Sequence, residues 1–127
     1  MNPITLIRIT ALLGATAVGL GAFGAHGLER LVGPEQIETF VTGVRYQFYH
    51  TLALGFLLAL RVERSGVIIG CWLGGMLLFS GSLYLLSLRE VHGLAVGFLG
   101  PVTPIGGVLL ITGWVILFIR APRLLAL

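Results

Sequence analysis

The residues able to do chemistry in this chain are few. They are three histidines, His26, His50 and His92, together with Arg45, Tyr46, Ser80 and Tyr84, all set at the ends of or within apolar runs. Tyr46 and His50 are four apart, so on a helix their side chains share a face. Three imidazoles suit a transition metal and two can ligate a haem iron, which makes His26, His50 and His92 the metal candidates. The wider polar cluster, His26, Arg45, Tyr46, His50, Ser80 and Tyr84, is the candidate site for any other ligand, such as a quinone or a lipid. Their spacing matches no recognised ligand motif, and no Asp, Met or Cys cluster supports it. The plainer reading carries more weight: a hydrogen-bonded network that holds helices together, because buried polar groups are normally paired. No cofactor is expected.

Other chemistry is excluded or disfavoured by what the chain lacks. Ser, His and Glu are present, but no spacing forms a nucleophile elbow or a pair of carboxylates, so no enzyme is expected. The lone cysteine, Cys71, rules out an internal disulfide and a CxxC redox pair. It sits beside Gly and Trp in an apolar run and reads as a small packing residue. No acid lies inside an apolar run, which argues against proton-coupled export and leaves passive transport open. The net charge of +3 comes from scattered arginines without a basic stripe, so nucleic acid is not an expected partner.

These side chains are positioned by apolar elements. The chain is 57% hydrophobic and only 10% charged, against roughly a quarter charged in a soluble domain. Its length allows a single domain, residues 1–127. Four apolar runs, about 4–25, 45–60, 66–87 and 104–119, have lengths suited to membrane spans. The expected fold is therefore an all-α membrane protein with four transmembrane helices. Between the first two runs, Gly33-Pro34-Glu35 is a helix start. Ile37, Phe40, Val41, Val44 and Phe48 follow on one helical face. This predicts a short amphipathic helix over 34–44, lying at the interface and running into the second span. Residues 93–103, rich in glycine, read either as a half-buried hairpin or as an early extension of the last helix.

Charge gives an orientation. Four spans place both termini and the 61–65 turn on one side, with Arg8, Arg61, Arg64, Arg120 and Arg123 against Glu63. The other side holds Arg30, Arg45 and Arg89 against Glu29, Glu35, Glu38 and Glu90. Basic residues favour the cytoplasmic side, so both termini are expected there. The polar cluster then gathers toward the outer face.

Helix association in lipid relies on close backbone approach. Gly66, Gly70, Gly74 and Gly81 form the expected seam of the third helix, with Gly14 and Gly21 in the first and Gly106 and Gly113 in the last. Such seams suit packing within one chain, a homo-oligomer or a larger membrane-protein complex.

Four segments in order resemble a known family. They are Gly21-Ala22-Phe23-Gly24-Ala25-His26-Gly27-Leu28, Arg45-Tyr46-Gln47-Phe48-Tyr49-His50-Thr51-Leu52-Ala53-Leu54, Phe79-Ser80-Gly81-Ser82-Leu83-Tyr84 and Gly100-Pro101-Val102-Thr103-Pro104-Ile105-Gly106-Gly107. Together they resemble the YgdD-like family across nearly the whole chain. The resemblance implies a small, four-span, multi-pass protein of the bacterial inner membrane. It implies no activity, since the family is functionally uncharacterised. The expected role is a non-enzymatic structural or accessory subunit. The alternatives are a ligand-, haem- or metal-binding module and a small passive transporter.

Overall fold

The computed structural model describes residues 1–62 and 64–124. Four long helices carry the fold: α1 (Pro3–His26), α2 (Pro34–Ala59), α3 (Gly66–Ser87) and α5 (Val102–Leu124). A 3-10 turn, Leu28–Arg30, follows α1, and the single turn α4 (Arg89–His92) follows α3. No strand occurs among the described residues.

Local sequence explains the ends. The Asn2 side chain accepts a hydrogen bond from the Ile4 amide at 2.9 Å, and Pro3 occupies the first turn of α1. Pro34 and Glu35 open α2 after Gly33, as expected. Gly93 stops α4 with a φ of 66°, a left-handed cap that costs glycine nothing. The 93–103 stretch is not a hairpin, and it extends the last helix only from Val102, two residues before the expected Pro104. It is that cap, an irregular link and a 3-10 turn at Gly97–Leu99 before α5 begins at Val102.

One expected boundary disappears. The amphipathic helix over 34–44 and the span over 45–60 form a single uninterrupted helix, α2. Nothing between Thr39 and Gln47 breaks a helix: Gly43 costs about 1 kcal/mol in propensity, and close packing against α3 occupies the space it leaves. Among the described residues, three helical segments, Pro3–His26, Gly66–Ser87 and Gly97–Arg123, are long and apolar enough to cross a bilayer, where four had been expected. The exception is α2, which carries Glu35, Glu38, Arg45 and Gln47 among its apolar residues.

The long helices pack antiparallel in chain order, α1 on α2, α2 on α3, and α3 on α5. Among the described residues, the α1 backbone approaches neither α3 nor α5. The result is an open row, not a closed bundle, and it leaves a trough between α1 and α3 with α2 as its floor. The main core, Leu6, Leu54, Leu57, Ile68, Trp72 and Leu110, fills the end near the α2–α3 turn. At the opposite end Phe40 is buried, edge-on to Phe23 and against Tyr84.

Glycines set the closest approaches; Gly106 and Gly113 do so as the spacing had suggested, whereas on α3 the glycine in contact is Gly75 and not the Gly66–Gly70–Gly81 series. A Cβ on Gly106 would collide with the backbone of Phe79 and Leu78, and one on Gly75 would lie 2.6 Å from Leu110. Gly66, Gly70 and Gly81 have nothing within 4 Å of such a Cβ. The seam that binds α3 to α5 therefore runs through Gly75, Gly106 and Gly113. The Gly66–Gly70–Gly81 side of α3 faces the trough.

Candidate functional site

The polar side chains form two separate networks, one on each side of α2. On the trough side the centre is Gln47, 6% exposed. Its Nε2 donates to the Leu13 carbonyl at 2.9 Å and to Thr16 Oγ1 at 3.0 Å, both on α1. Its Oε1 accepts from Tyr84 Oη on α3 at 2.7 Å. Ser80 Oγ donates to the Gly43 carbonyl at 2.7 Å, and Thr51 Oγ1 donates to the Gln47 carbonyl at 2.7 Å. Gly43 makes this approach possible, because a Cβ there would sit 2.8 Å from the Tyr84 ring and 3.3 Å from the Ser80 carbonyl.

A donor count decides what this network can do. Both Gln47 amide hydrogens, the Tyr84 phenol hydrogen and the Ser80, Thr51 and Thr16 hydroxyl hydrogens are all committed inside the chain. What remains is acceptor lone pairs. A carbonyl ligand such as a quinone head would find no donor here without breaking a bond already made within or between helices.

The second network lies between α2, α3 and α5. Tyr46 stacks on His50 with ring centres 6.3 Å apart, and Tyr46 also packs on Phe79 at 4.7 Å. His50 meets the edges of Trp72 and Trp114, each at 6.0 Å, and the two indoles lie 4.7 Å apart. His50 Nδ1 is 2.8 Å from the Tyr46 carbonyl, so this nitrogen carries the hydrogen. His50 Nε2 then accepts from Trp114 Nε1 at 3.0 Å. A neutral ring in one tautomer thus joins α2 to α5, whose backbones do not touch. Trp72 Nε1 is buried against Gly113 with no acceptor. Higher on the same side, Ser82 and Thr103 share a 2.6 Å hydrogen bond between α3 and α5.

The six expected site residues are divided by this geometry. Tyr46 and His50 belong to the aromatic network, while Ser80 and Tyr84 belong to the trough network. His26 is exposed at the end of α1. Arg45 is exposed and pairs with Glu38 at 3.3 Å, an exposed ion pair of little energetic weight. His92 staples the loop after α3: its Nε2 donates to the Leu85 carbonyl at 2.8 Å and its Nδ1 accepts from the Leu94 amide at 2.9 Å. The three histidines do not converge. No group of three His, Cys, Asp or Glu side chains able to hold a metal occurs among the described residues.

The position of the cluster also differs from the expectation of an outer-face site. Gln47 lies roughly 20 Å along α2 from Pro34 and roughly 18 Å from Ala59, at about 1.5 Å per residue. The networks sit near the middle of the helices because α2 begins eleven residues before the expected second span. Sequence reasoning passed over Gln47, Thr16, Trp72 and Trp114. Gln47 had a signal: it is the one side-chain amide in the 45–60 run, and it shares a helix face with Gly43, Thr51 and Leu54.

A row of apolar helices tied at mid-length by buried hydrogen bonds defines a small α-helical membrane protein. The family described as "Protein of unknown function (DUF423)" matches residues 20–107, and the chain belongs to it. The chain is 42% identical over 127 residues to the UPF0382 membrane protein YwdK of Bacillus subtilis, covering 96% of this chain and 97% of the relative. It is 39% identical over 125 residues to the UPF0382 inner membrane protein YgdD of Escherichia coli, covering 94% and 90%. A UPF0382 membrane protein of Haemophilus influenzae is 40% identical over 112 residues, covering 86% of each chain. No solved structure matches.

Proposed function

We propose that this protein is a non-enzymatic structural or accessory component of a membrane assembly, with α2 serving as a fourth span. The observation that carries the reading is the internal use of the Gln47, Ser80, Tyr84 and His50 donors at mid-bundle. A catalytic or ligand-binding site needs groups that still have bonding capacity to offer. Here Gln47, Ser80, Tyr84 and His50 commit their donors to neighbouring helices or to their own helix backbone, as a structural clasp does.

Packing supports the fourth span. Gly24 lies against Phe40, Gly14 against Thr51, and Gly43 against Tyr84, so α2 runs antiparallel between α1 and α3 along their length. A helix in that position crosses with its neighbours, and the clasp satisfies the polar groups it carries into the bilayer. Four crossings put both termini on one face, and the arginine balance assigns that face to the cytoplasm.

Affinity capture of the tagged chain from native membranes in a mild detergent tests the assembly role. A membrane protein recovered in stoichiometric amount is the expected outcome. A lone monomer under every mild condition overturns it.

A further inference from the structure

The trough between α1 and α3 has a charged end and an apolar length. At the α2–α3 turn one hollow, of about 480 Å³, is lined by Leu6, Arg61, Val62 and Ile69. A second, of about 340 Å³, is lined by Arg64, Gly66, Ile69, Gly70 and Leu73. Leu73 also borders the third, of about 420 Å³, which continues past Leu77 to Gln47, Ser80 and Tyr84. Ile69 and Leu73 thus link the three into one path from two arginines to the middle of the helices.

We infer that this trough holds an anionic phospholipid, its phosphate at Arg61 and Arg64 and one acyl chain along Ile69, Gly70, Leu73 and Leu77. Charge complementarity supports the occupant. The turn carries two arginines against the single Glu63, and basic residues just outside a span attract anionic headgroups. Length supports it as well. The rise from Gly66 to Leu77 is about 17 Å at 1.5 Å per residue, close to one leaflet of a ~30 Å hydrocarbon core. Shape is the third support. Gly66 and Gly70 meet nothing within 4 Å, and their lack of side chains opens room for a chain beside α3. The trough ends at the Gln47 clasp, which has no hydrogen left to donate, so an acyl end there deprives no donor of its partner. The inference rests on the helices crossing a bilayer, not on the accessory role.

Native mass spectrometry of the intact chain tests it, with phosphatidylglycerol and phosphatidylcholine of identical acyl chains offered in equal amounts. The expected result is one retained lipid per chain, with a preference of roughly tenfold for phosphatidylglycerol. Arg61→Gln with Arg64→Gln abolishes that preference. Gly70→Phe, at a position where an added Cβ meets nothing within 4 Å, lowers retention of both lipids while leaving the helical circular dichroism unchanged. Glycerophosphoglycerol, which has the headgroup without the chains, does not compete. Equal retention of the two lipids, or a preference that survives the double arginine change, overturns the inference. So does full retention in a folded Gly70→Phe, or a dimer that this change dissociates, since a second copy would then fill the trough. Failure of the partner capture above leaves these outcomes unaffected.

Discussion

Gln47 is the side chain on which three helices converge. Replacing it with Leu leaves the Tyr84 hydroxyl without its acceptor and removes both bonds to α1, at a cost of about 1–3 kcal/mol. Tyr84→Phe removes one donor and leaves Gln47 bound to α1, so it costs less, about 0.5–1.5 kcal/mol. The double variant is expected to resemble Gln47→Leu alone, because both changes break the same bond. Unfolding by a denaturing detergent titrated into mixed micelles measures all three. Additive losses would show that the two side chains do not act through one another. On the other side of α2, His50 repeats the logic with a ring, accepting from one helix while donating to its own backbone. A metal bound at His50 Nε2 would first have to displace Trp114.

Between elements, contact depends on where glycine faces, not on how often it recurs. Gly106→Ala drives a methyl group into the main chain of Phe79, which cannot rotate away. A net loss of about 1–3 kcal/mol is expected, despite the better helix propensity of Ala. Gly70→Ala meets open space, so it is expected to be neutral or to gain up to about 1 kcal/mol. The same detergent titration ranks the pair, and an equal loss at both positions would remove the distinction. For α2 the conflict runs the other way. Taken whole it is too polar to rank with the three apolar helices, although its 45–60 half reads as a span, and its acids sit in its first two turns.

At the scale of the molecule, the arrangement commits the chain to an even number of crossings if α2 traverses with α1 and α3. Thiol labelling of intact cells checks this in a Cys71→Ala background. With both termini cytoplasmic, an impermeant reagent labels Glu90→Cys from outside, whereas Asn2→Cys and Ser65→Cys are labelled only after permeabilisation. Labelling of Ser65→Cys from outside with Asn2→Cys protected would mean that α2 does not cross. Labelling of both, with Glu90→Cys protected, would mean the opposite orientation. The open row also has a consequence for cohesion: among the described residues α2 is the one long helix whose backbone α1 approaches, so changes at Leu13, Thr16 or Gln47 are the ones expected to loosen it.

Sequence alone determined the helical class, the membrane setting and the limits of α3, since long apolar runs bounded by charged turns have no other way to satisfy their backbone. It also pointed to Tyr46, His50, Ser80 and Tyr84 as a polar group, because such residues are rare against that background. Which of them meet was beyond its reach. Periodicity fixes the face of one helix but not the rotation of one helix against another. That rotation separated Tyr46 and His50 from Ser80 and Tyr84, turned the Gly66–Gly70 face to the trough and brought in Gln47 and Trp114. The tertiary structure also joined 34–44 to the second span, since nothing between Thr39 and Gln47 breaks a helix and Thr39 and Thr42 return their hydroxyl hydrogens to carbonyls of α2 itself. The chemistry-bearing residues were therefore legible as types, and only packing decided that the hydrogen bonds of Gln47, His50, Ser80 and Tyr84 are already spent.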